Sequence, residues 1–360
     1  MKKLSVLCFI GGTEDGFDNG AGSEQRYLFA LAEMLAYYGH EVTCVGNSHN
    51  GEERPKWGDT TPIPGIKFIH MREVDFLNRA YDLAIVSENI IHWRCDGQPI
   101  QTPCPLFEYV AKKVAHPLFG WAGTGLDCVT ERTADNTHFV FQPFEPLVMR
   151  QGDAVINYPV WKDAPADNLE GRDTLVWSCK DVYHDDWKED HNFHYGGLKI
   201  LKALKRLETE HSIRSVFINS EKFNGKRATR MGAKAIFDSL EKKEAHTGLI
   251  RKSVLDAAFK RARVSTIVQG YFSSAFSAPA AGAVPLYFND HGGTIWHPDQ
   301  IIMSMWDSEE VFYRKLERFF IDDSYYLERR DKGLEVIKKF HFAESHKSFL
   351  RFAEKVGLNA

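Results

Sequence analysis

The chain has 360 residues, 43% of them hydrophobic and 13% aromatic, with a formal net charge of −4 at pH 7. That length exceeds a typical single core and suits two α/β domains. The acidic balance gives no global reason to expect nucleic acid or an anionic membrane as partner, and the lack of any run of about 18 apolar residues argues against a membrane span.

The first residues, MKKLSVLCFIGG, have an apolar run too short for a signal peptide and continue into an acidic glycine loop. Six cysteines at 8, 44, 95, 104, 128 and 179 form no C-x-x-C pair. Their scatter fits reduced thiols in a cytoplasmic protein.

Leu4 to Ile10 reads as a buried strand, followed by a glycine and acid loop from Gly11 to Gly22 that contains Asp18 and Gly20. Ser23 is a plausible helix cap, and Tyr27, Leu28, Leu31, Met34 and Leu35 recur at helical spacing. Gly39 stops the helix, and Glu41 to Val45 is the next strand, which completes a βαβ unit. Gly20-x-Gly22 lies too far past the strand for a dinucleotide turn and lacks a third glycine, so a nicotinamide site is disfavoured. His40 reads as a turn residue. Further strands are expected at Ile66 to His70, Leu83 to Val86, Pro117 to Trp121, His138 to Phe144 and Ala154 to Ile156. Asp127 reads as a helix-start carboxylate with a place in a cleft as its alternative.

Pro159 to Asp173 is polar and turn-rich and marks a boundary, giving one domain over 1–158 and a second over 174–340. Thr174 to Ser178 opens the second domain as a strand. Lys180 follows it, where a point cation can neutralise phosphate. Asp181 to His194 is dense in histidine and carboxylate, but its spacing matches no zinc pattern and a polar loop is the simpler reading. Gly197 to Leu207 is amphipathic, Val216 to Ile218 is a strand, and Phe223 to Lys243 is read as a basic helix. Thr247 to Ile250 and Ser253 to Arg263 come next. They lead into Val264 to Phe288, read as strand, loop, short helix, tight turn and strand. Such a unit puts a helix start at the carboxyl end of a sheet, where α/β folds bind phosphate-bearing ligands. Ser308 to Asn359 is nearly all helical, with 341–360 as a terminal helix.

Several of these stretches resemble the family 4 glycosyltransferases of GT-B fold. Gln269-Gly270-Tyr271-Phe272 stands where that family has E-G-F-G, Ser277 where it has its second glutamate, and Ala280, Gly282 and Pro285 near its A, G and P, with Pro285 one residue late as in the phage DNA α-glucosyltransferases. Ala21-Gly22-Ser23-Glu24 through Gly39-His40-Glu41-Val42-Thr43 resembles the family's opening, and Phe340-His341-Phe342-Ala343-Glu344 its F-S-W-E before the terminal helix. Thr247 to Ile250 followed by Ser253 to Arg263 resembles a strand and a helix of the family, which implies a strand and a helix there. Both family glutamates are replaced, by Gln269 and Ser277, and its K-G pair by Gly196-Gly197.

The resemblance implies two Rossmann-like domains with a cleft between them and a C-terminal helix that crosses back onto the first. It implies a nucleoside-diphosphate sugar as donor and an acceptor that is a glycan, a small molecule or modified DNA. No cofactor or metal is expected, and transfer would retain configuration. Donor-binding residues would be Gly20, Gly22, Ser23, Lys180, Gln269, Gly270, Tyr271, Phe272, Ser273 and Ser277. Should the enzyme invert, it needs a base, for which Asp18 and Asp127 are the candidates. Two other readings stay open. One is a phage-type DNA glycosyltransferase, with Lys222, Lys226, Arg227, Arg230 and Lys234 meeting phosphate. The other is a non-catalytic binder of nucleotide or glycan.

Overall fold

A computed structural model describes residues 3–9, 23–46, 65–70, 81–87, 118–122, 137–141, 154–157, 159–163, 165, 169–178, 193–218, 220–224, 226–247, 252–267, 274–288, 302–303 and 307–358. The chain divides into two compact units, Met1–Lys162 with Lys339–Ala360, and Asp163–Lys338.

The first unit is built on seven strands: β1 (Ser5–Phe9), β2 (Glu41–Gly46), β3 (Ile66–His70), β4 (Leu83–Ser87), β5 (Leu118–Ala122), β6 (Thr137–Phe141) and β7 (Ala154–Val155). They lie in the order β3-β2-β1-β4-β5-β6-β7, and every described pairing is parallel. The order reverses direction between β1 and β4, the hallmark of a doubly wound sheet. Helix α1 (Ser23–Tyr37) lays Leu28, Leu31, Met34 and Leu35 against Val6, Cys8, Leu83 and Ile85. Asp82 ties the amino ends of β1 and β4 together. Its carboxylate accepts the Ser5 N–H at 2.7 Å, and its own N–H donates to the Ser5 carbonyl at 2.8 Å.

The terminal helix (Phe342–Lys355) belongs to this unit. Its Phe349, Phe352 and Ala353 are fully or nearly fully buried in the core of α1 and β1. Phe342, Phe349 and Phe352, seven and three positions apart, make one continuous apolar stripe on such a helix. Replacing Phe349 with alanine is expected to cost about 3–5 kcal/mol of unit stability, checked by urea unfolding. A cost under about 1 kcal/mol would mean that the helix is not part of the core.

The second unit repeats the same wiring. Strands β8 (Thr174–Ser178), β9 (Arg214–Ile218), β10 (Lys243–His246), β11 (Ala262–Ile267), β12 (Val284–Phe288) and β13 (Ile302–Met303) lie in the order β10-β9-β8-β11-β12-β13, all parallel. Its helices are α2 (Phe193–His211), α3 (Lys226–Arg230), α4 (Ala233–Ser239), α5 (Lys252–Arg261), α6 (Ser274–Ala280), α7 (Glu309–Ile321) and α8 (Asp323–Ile337). Alternate residues of the strands feed two cores. Leu175, Trp177 and Phe217 meet α2, α4 and α7 on one face, while Val176, Val216 and Ile218 meet α5 and α6 on the other. A parallel sheet buried on both faces needs consecutive apolar residues in its strands, and Leu175-Val176-Trp177 and Val216-Phe217-Ile218 supply them.

Three local expectations change. The stretch Phe223 to Lys243 is not one helix: it is a 3-10 turn at Ser220–Asn224, then α3, α4 and β10. Gly232, at φ 77°, lies in the left-handed region between α3 and α4, where helix propagation stops. Strand β10 ends at His246, just before the strand expected at Thr247 to Ile250; Thr247 is in no strand, and 248–250 lie outside the described residues. Gly196-Gly197 does not precede the following helix but sits inside the first turns of α2.

Candidate functional site

Doubly wound sheets bind ligands outside the carboxyl ends of their strands, at the point where strand order reverses. In the second unit that point lies between β8 and β11, whose ends are aligned by the pairing of Trp177 with Thr266. The chain leaves β8 at Ser178, two residues before Lys180, and leaves β11 at Ile267, two residues before Gln269. It returns as α6, which begins at Ser274.

Of the residues singled out from sequence, Ser277 lies in α6 and is half-buried, and its carbonyl accepts the Ala281 N–H at 3.1 Å. Ser23 is the first residue of α1, the helix that follows β1. Asp18, Gly20, Gly22, Asp127, Lys180, Gln269, Gly270, Tyr271, Phe272 and Ser273 lie outside the described residues, as does the stretch Asp181 to Asn192.

The other half of the motif around Ser277 is structural. Gly282 turns the chain from α6 into β12 at φ 90°. A guanidinium covers it. Buried Arg172 donates from Nη1 to the Ala262 carbonyl at 3.0 Å and from Nη2 to the Ala281 carbonyl at 2.8 Å. Tyr326 of α8, fully buried, donates its hydroxyl to the Gly282 carbonyl at 2.7 Å. Arg263 completes the cluster, donating from Nε to the Arg172 carbonyl at 2.7 Å and pairing with Asp323 at 2.6 Å. A cation on the last carbonyls of a helix also opposes the negative end of its dipole. None of Arg172, Arg263 and Tyr326 was legible as a partner of this motif, because the bonded groups lie 44 to 109 residues apart in the chain.

Among the described residues, one group has metal-ligating types close together: Glu210 and His211 at the end of α2 and Glu317 of α7. Their oxygens and ring nitrogen are already engaged. The Tyr313 hydroxyl lies 2.6 Å from Glu210 and 2.7 Å from Glu317 and shares its single proton between them, His211 Nε2 meets Glu317 at 2.7 Å, Arg314 pairs with Glu317 at 2.6 Å and Arg206 with Glu210 at 2.6 Å. Burial opposes ionisation of Glu317, yet the hydrogen bonds from Tyr313, His211 and Arg314 hold its carboxyl down at about 2. The group reads as an ion-pair network that ties α7 to α2. Because the folded carboxyl titrates below its unfolded value, its stabilisation is present above about pH 4.5 and is lost as pH falls toward 2.

The basic stretch offers little free charge where it is described. Lys234 pairs with Asp238 at 2.7 Å, and Lys243 donates to the Leu240 carbonyl at 2.7 Å. Among the described residues, the thiols of Cys8 and Cys44 form no disulfide and are buried on neighbouring strands. No helix among the described residues is long and apolar enough to cross a membrane.

No protein-family profile and no curated protein matches the sequence. Solved structures do match along the whole chain. A glycosyltransferase from Rickettsia africae ESF-5 superposes with a TM-score of 0.57 at 10% identity, covering 100% of both chains. An alpha-glucosyltransferase in complex with UDP-glucose and DNA containing an abasic site does so at 0.55 and 12% identity, covering 99% of this chain and 100% of that one. An alpha,alpha-trehalose 6-phosphate synthase from Burkholderia multivorans gives 0.51 at 11% identity over 99% of each chain. Two successive doubly wound units, matched from end to end by these structures, give the chain the GT-B glycosyltransferase fold.

Proposed function

We propose that this protein is a glycosyltransferase that moves a sugar from a nucleoside-diphosphate sugar to an acceptor hydroxyl, with retention and without a metal. The observation that carries this reading is the pair of doubly wound sheets, each with a switch point, in a chain matched over its full length by glycosyltransferase structures. The donor would sit at the β8/β11 switch point of the second unit. Lys180 would offset diphosphate charge as a point cation. Gln269 to Ser273 would line the donor, and Ser277 would hydrogen-bond a donor hydroxyl more weakly than the family's carboxylate. Gly20, Gly22 and Ser23 would serve the donor from the first unit, and Asp18 or Asp127 would supply a base if configuration inverts. The free buried thiols suit a cytoplasmic setting.

A DNA acceptor is the second reading. It is favoured by the likeness to the alpha-glucosyltransferase in complex with UDP-glucose and DNA. The net charge of −4 and the paired state of Lys234 count against it. Strong salt dependence of duplex binding would mark it.

A melting-temperature panel of UDP, GDP, ADP, CMP and NAD, with and without EDTA, tests the donor reading. One nucleoside diphosphate is expected to stabilise the protein by about 2.7 kcal/mol at a hundredfold excess over its Kd, insensitive to EDTA. A rise with NAD alone, or with no nucleotide, would reject the donor site and leave a fold without this chemistry.

A further inference from the structure

We propose that Arg172 is a positioning residue for the donor site, acting through α6 on Ser277 from the opposite end of the sheet. The inference rests on the reading of Ser277 as a donor-binding residue. Its own support is a chain of two hydrogen bonds. The Arg172 guanidinium donates to the Ala281 carbonyl at 2.8 Å, and the Ala281 N–H is shared between the Ser277 and Ala278 carbonyls, each at 3.1 Å.

Helix α6 packs Ala278 into the core with Val176, Val216 and Phe259, and its carboxyl end is pinned by polar contacts as well. It has seven residues, of which Ser274, Ala275, Ser277, Ala278 and Ala280 are small and Phe276 is large, and it includes Pro279, which donates no backbone hydrogen bond. Small side chains each give few dispersion contacts, so polar contacts at the end of such a helix add to what its packing supplies. Its carboxyl end is fixed by groups from elsewhere. Arg172 bridges the Ala281 and Ala262 carbonyls, which locks the end of α6 to the start of β11. Tyr326 holds the next carbonyl, that of Gly282, at 2.7 Å. Arg263 in turn donates to the Arg172 carbonyl and to that of Phe319, so the clamp is tied to α7. The planar fork of an arginine holds its donors in a fixed geometry toward two acceptors, whereas a lysine offers a compact, rotatable ammonium.

The test has one readout that needs no ligand and one that does. Amide hydrogen exchange across 274–283 is followed in the wild type, Arg172→Met, Arg172→Lys and Tyr326→Phe. Exchange is expected to be faster in Arg172→Met, intermediate in Arg172→Lys and mildly faster in Tyr326→Phe, which keeps the guanidinium and is the variant most certain to fold. Unchanged exchange in Arg172→Met and Tyr326→Phe would overturn the clamp. Calorimetric titration with UDP, GDP and ADP is done well below the unfolding transition. Arg172→Met is expected to weaken the bound nucleotide about tenfold, since small misplacements of a binding group are costly. A Ser277→Ala variant closes the cycle. If Arg172 acts through Ser277, the double variant binds about as the Ser277→Ala variant does. Full additivity, or an unchanged affinity in Arg172→Met, would reject the positioning role. A wild type that binds none of the three nucleotides sinks the donor reading, and the exchange result still decides the clamp.

Discussion

Lowering the pH from 7.5 to 5 is expected to loosen the terminal helix (Phe342–Lys355) from the first unit, at a cost of about 1–2 kcal/mol. The cause is a pair of buried imidazoles. His40 and His346 face each other Nε2 to Nε2 at 3.1 Å, and the Leu4 N–H donates to His40 Nδ1 at 3.2 Å. Since Nδ1 of His40 is an acceptor, its Nε2 carries the proton and donates to His346 Nε2. A further proton on either ring would set two N–H groups against each other, at one contact or the other. His346 is also stacked on Tyr38, with ring centroids 4.0 Å apart, and only 4% of it is exposed. Burial first, and the neighbouring His40 second, lower the His346 imidazole to about 4. Burial and Lys3 lower His40 in the same direction.

The sign follows directly. The unfolded imidazole binds protons near 6.5 and the folded one near 4. Stability is therefore full above about pH 6.5 and falls as pH drops through that value toward 4. The Glu317 network of the second unit does not share this window, since its loss begins only below about pH 4.5. Hydrogen exchange over 342–355 at pH 7.5 and 5, corrected for intrinsic rates, reads the effect on the helix itself. A His346→Gln variant keeps an acceptor for His40 and removes the titration, so its pH dependence is expected to be flatter. An equal pH dependence in that variant would place the cause elsewhere.

His40 shows where sequence reading reaches and where it stops. Its neighbour Gly39 follows a run of helical spacing and precedes a β-branched strand, so the turn between α1 and β2 is local and legible. His346, the partner that gives His40 its role, is 306 residues away. The same division holds across the fold. Strands such as Thr174–Ser178 and Val284–Phe288 match their expected bounds because a buried parallel strand is written in consecutive apolar residues. Strand β13, only Ile302–Met303, carries too few residues to show any period. The basic run from Lys226 to Lys234 looked continuous because charge spacing does not register a left-handed Gly232. For the candidate site, Ser277 could be placed from its motif, but the arginine clamp behind it could not. No local pattern announces that Arg172 will reach a carbonyl 109 residues on. The motif's glycine was legible as a turn residue, and the structure adds the reason that no other residue serves there.

Replacing Gly282 with alanine is expected to cost about 2–4 kcal/mol, a larger effect than a left-handed backbone alone explains. At φ 90° an L-residue is strained by about 1–2 kcal/mol. In addition, a Cβ at this position would lie 2.8 Å from Arg172 Nη2 and 3.1 Å from its Cζ. The far end of an exposed arginine would swing aside at small cost, but this one is buried and bonded to two carbonyls. Moving it breaks charge-assisted hydrogen bonds worth about 1.5–3 kcal/mol each and leaves carbonyls without a donor. Gly171 separates the two contributions. It has φ 76°, and nothing lies within 4 Å of an added Cβ. Gly171→Ala therefore reports strain alone and is expected to cost about 1 kcal/mol. Urea unfolding of both variants, and of Gly282→Ala in an Arg172→Met background, makes the comparison. The unbranched methionine can yield where the pinned guanidinium cannot, so the cost of Gly282→Ala there should fall to about that of Gly171→Ala. If it stays at its full value without the guanidinium, the penalty comes from the backbone and the arginine does not dictate glycine at this turn.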